Sequence, residues 1–197
     1  MQENKASAKK TERTQEEMRM NILVTYKSKT GFTKKYAEIV AKEVGCEAVD
    51  FKKTSAKQMS EYDVVVFGSR LHAGMIDGLK KAKEMFAKSG AKKLVVFVTG
   101  ATPNEAAEEI ETVWKNNLTA EELESIPHFY MQSGLCYEKM SFGDKSMMKM
   151  VSTVMSKQKD LSSKDQRFLQ AIQSSYDISS EEYAKPLIAY LKGENVL

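Results

Sequence analysis

The stretch NILVTYKSKTGFTKKYAEIV, residues 21–40, joins an apolar run to an amphipathic segment through a loop of lysines and hydroxyl side chains. Asn21–Tyr26 is predicted to be a buried strand because it contains three consecutive large apolar residues. Thr33–Val44 is predicted to be a helix, since its apolar residues recur every three or four positions and Gly45 follows them. A strand, a tight loop and a helix start are therefore expected in direct succession.

The same alternation continues along the chain. We predict strands at Cys46–Phe51, Val64–Phe67, Leu94–Val98 and Pro127–Met131, and helices at Gly78–Lys88, Pro103–Leu118, about 144–157 and about 180–192. The strands are short and wholly apolar, which is typical of a parallel sheet covered on both faces. The sequence therefore predicts a doubly wound α/β fold with a parallel sheet and helices on both faces.

Length and composition narrow the function classes. The 197 residues, 42% of them hydrophobic, fit a single domain over residues 20–197, and residues 1–19 read as a flexible polar tail. The net charge of +3, with no long basic run, argues against a nucleic-acid partner. Cys46 and Cys136 form no metal or redox spacing, and only two histidines are present, so we expect no metal site and a cytoplasmic location. No stretch is apolar over the roughly 18 residues that a membrane span requires.

The loop after the first strand has the features of a phosphate site. In a doubly wound sheet, ligands bind beyond the carboxyl ends of the strands. Main-chain N–H groups and the dipole of a helix start favour an anion there, and Gly31 permits a tight bend. Three hydroxyl side chains add donors to an otherwise uncharged cradle. The candidate contacts are Ser28, Lys29, Thr30, Gly31, Phe32 and Thr33.

Other phosphate loops fit this segment poorly. One glycine is too few for a nucleoside-triphosphate loop or a dinucleotide fingerprint. A phosphatase would need a cysteine in the loop, and a receiver domain would need acidic residues after the first strand. Lys34 and Lys35 oppose the helix dipole, which a bound dianion would offset, but two screened surface lysines explain them equally well.

The spacing Ser28-x-Thr30-Gly31-x-Thr33 resembles the [ST]-x-T-G-x-T phosphate loop of flavodoxins, which bind FMN. The resemblance implies a five-stranded sheet in the order 2-1-3-4-5 and two further loops that contact the flavin ring. Gly68–Gly74 resembles the G-S-x-x-Y-x-G ring loop of flavodoxin relatives, with His72 in the aromatic place, and Thr99–Thr102 is the third loop. Small residues in both loops would let the backbone approach a flat ring. The candidates here are Ser69, Arg70, Leu71, His72, Ala73, Gly74, Thr99, Gly100 and Ala101.

The final third of the chain is longer than a flavodoxin needs. The segments Ser133–Phe142 and Asp144–Met150 resemble the insertion, here around residues 132–160, in the last βα unit of menaquinone-dependent protoporphyrinogen dehydrogenases. That resemblance implies electron transfer from a tetrapyrrole precursor to a quinone, with contact at the inner face of the cell membrane. The turn has fewer arginines and aromatic residues than that group's pattern, which leaves porphyrin oxidation open.

The helix predicted within this insertion carries an apolar stripe. Its members share one face and are Met147, Met150, Val151, Val154 and Met155. We predict that the stripe packs on the core, as most such stripes do, in preference to forming a substrate or membrane surface.

Three functions are consistent with the sequence. The favoured one is an FMN-dependent oxidoreductase, for which no acid–base residue is assigned, since a flavin carries most of its own chemistry. The second is a non-enzymatic electron carrier that serves a redox partner protein. The third is a flavin-free scaffold domain.

Overall fold

The computed structural model describes residues 20–158, 160, 162, 166, 169–170 and 172–194, so the tail predicted at residues 1–19 lies outside the described residues. The strands are β1 (Ile22–Lys27), β2 (Ala48–Asp50), β3 (Val64–His72), β4 (Met75–Ile76), β5 (Lys93–Gly100) and β6 (His128–Gln132). The helices are α1 (Phe32–Val44), α2 (Ala56–Met59), α3 (Leu79–Ser89), α4 (Ala107–Asn117), α5 (Ala120–Ser125), α6 (Phe142–Ser156) and α7 (Lys185–Lys192).

Five strands form a parallel sheet in the order β2-β1-β3-β5-β6. This is the predicted doubly wound order, and the fold prediction is confirmed. The sixth strand, β4, is an addition that the sequence did not indicate: it pairs antiparallel with the end of β3.

Two apolar layers cover the sheet, because side chains alternate between its faces along each strand. Leu23, Phe67 and their neighbours on one face pack against α3 and α4. Val24, Phe97 and their neighbours on the other face pack against α1 and α7. Because these strands are parallel, the carboxyl ends of β1, β3, β5 and β6 lie at one edge of the sheet, and the loops that follow them lie there too.

One predicted helix boundary needs correction, and one short helix was missed. The helix predicted to start at Pro103 begins at Ala107, because residues 103–106 form a turn in which the Ala106 N–H donates to the Pro103 carbonyl at 3.0 Å. Helix α5 was not predicted at all. It is short, and Thr119 and Glu122 form a capping box at its start.

Gly68 is a packing position in the centre of the sheet. It lies opposite Phe97 in the parallel register, and a Cβ at Gly68 would stand 2.0 Å from an atom of the Phe97 ring. We predicted that the lack of a side chain at Gly68 would make room for a cofactor ring. That space is instead occupied by the ring of Phe97.

Replacing Gly68 by alanine is expected to lower the free energy of unfolding by about 1–3 kcal/mol, because the Phe97 ring must shift within a closely packed core. Urea unfolding monitored by circular dichroism measures this change. Gly143→Ala is the control for added volume, since Gly143 does not have a positive φ and a Cβ there meets no atom within 4 Å; it is expected not to lower the stability. An unchanged midpoint for Gly68→Ala would contradict the packing described.

After Gln132, the last residue of β6, the chain makes a long excursion away from the sheet, which ends at Ser180. The side chain of Tyr36 contacts both ends of this excursion. The buried Tyr36 hydroxyl donates to the Gln132 carbonyl and accepts the Ser180 N–H at 3.1 Å. Burial raises the pKa of this phenol to about 12. Just beyond, Leu135 and Tyr176 form an antiparallel bridge. The excursion between these points therefore has closely spaced ends.

Helix α6 belongs to this excursion and lies outside both apolar layers. It has no buried residue, and Met150 and Val154 are 62% and 56% exposed. The prediction that its apolar stripe packs on the core is wrong. The two apolar layers contain residues of α1, α3, α4 and α7 but none of α6, so the stripe has no place in either layer.

Candidate functional site

The first loop, between β1 and α1, leads into a helix start that no side chain of the described residues caps. Gly31 has a φ of +109°, a region that favours glycine, and its N–H donates to the Ser28 hydroxyl at 3.2 Å. Gly31 is also the N-cap of α1, and no side chain caps the N–H groups of this helix start. A helix start without a side-chain cap retains the donors and the positive dipole end that bind anions.

Thr33 and Thr99 connect the first loop to the third. Both side chains are buried, and their hydroxyl oxygens lie 2.8 Å apart in a hydrogen bond. The Thr33 hydroxyl therefore points to the end of β5, where it fixes the spacing of the two loops.

The predicted second loop is a β-hairpin. Strand β3 continues to His72, and Ala73 and Gly74 form the turn into β4 with φ values of +49° and +79°. Two consecutive positive φ angles define the type I′ turn that suits a two-residue hairpin. The sequence signal was weak because alanine rarely occupies such a position.

Two side chains secure this hairpin. The Asn117 amide, from the last turn of α4, donates to the Gly74 carbonyl at 2.9 Å, and its oxygen accepts the Ile76 N–H at 2.8 Å. The buried Ser69 hydroxyl donates to the Asp77 carbonyl at 2.5 Å, so Ser69 supports the hairpin from inside. The Asp77 carboxylate pairs with Lys27 at 2.6 Å.

The third loop, after β5, is held from β6. The Tyr130 hydroxyl donates to the Thr102 carbonyl at 2.9 Å, and Ser133 donates to the Gly100 carbonyl through its N–H at 2.8 Å and its hydroxyl at 3.1 Å. A Cβ at Gly100 would stand 2.7 Å from the Tyr130 oxygen. As at Gly68, the missing side chain of Gly100 makes room for an aromatic residue of the protein.

A cavity of about 260 Å³ lies where the three loops meet. Ten of the predicted contact residues line it: Thr30, Phe32, Arg70, Leu71, His72, Ala73, Gly74, Thr99, Gly100 and Ala101. A second cavity of about 410 Å³ shares Thr30 and Phe32 with the first and adds Gly31. The remaining predicted residues, Ser28, Lys29, Thr33 and Ser69, line neither cavity; Ser28, Thr33 and Ser69 hold the loops instead.

The excursion after β6 supplies the rest of the lining, which the sequence interpretation missed. These residues are mostly apolar and include Leu135, Cys136, Met140, Met147, Met148 and Ile172. The predicted topology could have indicated them, because they follow β6, whose carboxyl end lies at the same edge of the sheet as those of β1, β3 and β5.

Asp144, in the first turn of α6, is the main polar contact between the excursion and the loops. Its carboxylate accepts from the Lys29 ammonium at 2.8 Å and contacts His72 Nε2 at 2.8 Å, and it lies 3.7 Å from the Arg70 guanidinium. The Asp144 side chain is only 12% exposed. The hydrogen bond from Lys29, supported by those of His72 and Ser141, holds the pKa of this carboxyl well below its usual range. Lys29 and His72, both predicted as ligand contacts, are thus paired with Asp144.

The two lysines in the first turn of α1 are also paired. Lys34 lies 3.5 Å from Glu38, and Lys35 lies 3.1 Å from Asp177. These carboxylates lie close enough to balance the charges of the two lysines without a bound anion. This favours the interpretation that both are ordinary surface lysines.

Among the described residues there is neither a cluster of metal-ligating side chains nor a membrane-spanning helix. No three histidine, cysteine, aspartate or glutamate side chains in that part of the chain converge as metal ligands would. No described helix has both the length and the apolar character needed to cross a bilayer.

In a comparison with protein families, the model of the flavodoxin domain matches residues 23–162, which is more than half of the chain. A comparison with the curated proteins found no match.

Solved structures with similarity to this chain include a flavodoxin, WrbA-like protein from Agrobacterium tumefaciens, with 20% identity, 64% of this chain and 87% of that chain covered, and a TM-score of 0.37. A flavodoxin from the domain Archaea has 14% identity, covers 88% of this chain and 99% of that chain, and gives a TM-score of 0.38. Oxidised Flavodoxin 2 from Bacillus cereus has 19% identity, with 57% of this chain and 84% of that chain covered and a TM-score of 0.38. Since these scores lie below 0.5, the family assignment rests on the family model.

Proposed function

The chain belongs to the flavodoxin domain family, and on that premise we propose that it binds FMN at the meeting point of its three loops and acts as an electron-transferring oxidoreductase. The observation that carries the proposal is the helix start at Gly31, which no described side chain caps. Gly31 lines the second cavity, and its neighbours Thr30 and Phe32 also line the first, where they meet the hairpin and the third loop.

The residues present fit such a cofactor. A phosphate ester would find main-chain donors in the first turn of α1 and the hydroxyl of Thr30, which lines both cavities. Ligand cavities usually measure roughly 300–1,000 Å³. The second cavity, of about 410 Å³, falls within this range, and the first, of about 260 Å³, lies just below it. A flat ring would have mainly apolar neighbours, among them Leu71, Leu135 and Met147.

The role of the protein's own residues in this site would be to bind and orient the cofactor. FMN, when bound, supplies the redox chemistry. The Thr33–Thr99 hydrogen bond keeps the first and third loops at a fixed separation, and Asn117 holds the hairpin tip. Asp144 contacts the imidazole of His72 at Nε2 and so keeps the ring at the lining of the first cavity.

The proposal predicts a yellow protein. We expect the purified protein, after incubation with FMN and removal of the excess, to retain the flavin absorption bands in about one equivalent per chain. Absorption spectra taken before and after this treatment are the measurement. A chain that stays colourless would contradict the proposal and favour the scaffold function.

We further propose that the excursion after β6 makes the protein a protoporphyrinogen dehydrogenase-like enzyme that passes electrons to a quinone. Two features support this: Met140, Met147 and Met148 give the cavity an adaptable apolar wall, and Phe142, 90% exposed, gives α6 an apolar residue at its solvent side for contact with a membrane surface. The alternative is a carrier that serves a redox partner protein. Consumption of a small-molecule donor with a quinone as acceptor would support the enzyme, and reduction only by a partner protein would support the carrier.

A further inference from the structure

Lys139 brings a positive charge from the excursion to the first loop. It ends the 3-10 turn Tyr137–Lys139, and its Nζ lies 3.5 Å from the point that a Cβ on Gly31 would occupy. It also lines the second cavity together with Thr30 and Gly31. A residue 108 positions further along the chain thus lies beside the proposed phosphate loop.

The other cations near this loop are already paired. Lys29 is held by Asp144 at 2.8 Å, and Lys35 is held by Asp177 at 3.1 Å. Within the part of the chain that the structure describes, the Lys139 ammonium has no carboxylate partner. Lys139 is therefore the nearby charge that remains available to a ligand.

The backbone that carries Lys139 is fixed at several points. The Lys139 N–H donates to the Cys136 carbonyl at 3.2 Å, and the Tyr137 N–H donates to the Ser175 hydroxyl at 2.8 Å. The Tyr137 hydroxyl donates to the Ile172 carbonyl. These contacts reduce the number of positions open to the lysine, so less ordering is needed when it binds an anion.

We infer that Lys139 contacts the phosphate ester of the bound flavin and is a determinant of the preference for FMN over riboflavin; this rests on the proposed function. An ammonium group adds a charge-assisted contact to main-chain donors that are otherwise neutral. The phosphate cradle, which the sequence predicted to be uncharged, thus becomes cationic through a residue of the excursion.

The test compares FMN with riboflavin, which lacks the phosphate. Each flavin is titrated with the full-length apoprotein, and quenching of flavin fluorescence gives the dissociation constant. For Lys139→Gln we expect about tenfold weaker FMN binding and unchanged riboflavin binding. Added salt is expected to weaken FMN binding to the original protein more than to the variant.

Two further variants complete the design. Lys139→Arg retains the charge and is expected to keep most of the FMN affinity, whereas Lys149→Gln removes an exposed lysine of α6 outside both cavities and is expected to change nothing. Equal FMN affinities for Lys139→Gln and the original protein, or equal losses for both flavins, would overturn the role of Lys139 alone. Failure of the original protein to bind either flavin would overturn the proposed function, and this inference with it.

Discussion

Replacing Gly31 by valine is expected to weaken FMN binding about a hundredfold. Gly31 has a φ of +109°, and a β-branched residue at a positive φ is strained by up to about 3 kcal/mol. Without ligand the loop can relax and release this strain, but binding requires the original loop shape again. The cost therefore falls on the affinity, which a fluorescence titration with FMN measures.

The matched control is Gly90→Val, which places the same side chain at a φ of +75° where a Cβ meets no atom within 4 Å. Gly90 ends α3 at the edge of the sheet opposite the cavities, so FMN affinity should be unchanged while stability falls. If Gly31→Val kept full affinity, the loop would not be the phosphate site.

Replacing Asp144 by alanine is expected to release α6 from the loops. Helix α6 has no buried side chain, so its attachment depends heavily on the contacts of Asp144 with Lys29 and His72. A hydrogen bond to a charged group contributes about 1.5–3 kcal/mol, and the loss of two such contacts at this partly exposed site, about 3 kcal/mol after allowing for solvent screening, corresponds to about a hundredfold shift toward the open form. Amide hydrogen exchange of residues 142–156 measures this opening.

The effect of Asp144→Ala on the opening of α6 is expected to depend on pH, and the pKa of Asp144 determines in which direction. The folded protein holds the pKa of Asp144 well below its usual value, so the carboxylate stabilises α6 fully above about pH 4, the ordinary aspartate range. This contribution is lost as the pH falls further and the carboxyl takes up a proton. The ratio of exchange rates between Asp144→Ala and the original protein, compared at the same pH, is therefore expected to be large at pH 7 and to decline below pH 4.

The control for this substitution is Glu111→Ala. Its carboxylate forms an exposed pair with Lys115 on α4, and such surface pairs contribute little. We expect no change in the exchange of α6. Equal protection of α6 in Asp144→Ala and the original protein would show that other contacts hold the helix.

The fold was predictable because local patterns and topology agree. Apolar runs and helical spacing predicted all five parallel strands and the major helices, and the doubly wound order followed. The hairpin of β3 and β4 was missed, since its turn uses Ala73 at a positive φ. The size of Gly68 and Gly100 was read as space for a ligand because the positions of Phe97 and Tyr130 depend on strand register, which a single sequence does not specify.

The site was predictable only where it is local in sequence. The first loop was found because the strand, Gly31 and the helix start are consecutive, but Asp144 and Lys139 reach it from more than a hundred positions away. Their nearness arises from tertiary structure. The sequence also favoured the core for α6, since an apolar stripe has the same spacing whether it covers a sheet or a cavity.

Tyr36 holds the two ends of the excursion after β6 together, so the excursion forms a structural unit of its own. Because Gln132 and Ser180 bond to the same hydroxyl, and Leu135 pairs with Tyr176, the chain between them begins and ends at nearly one place. Loop-closure entropy grows only slowly with length, so such a cassette can be shortened, extended or exchanged at little cost to the sheet. Grafting it onto a related scaffold at these two points would transfer Lys139 and Asp144 as a unit.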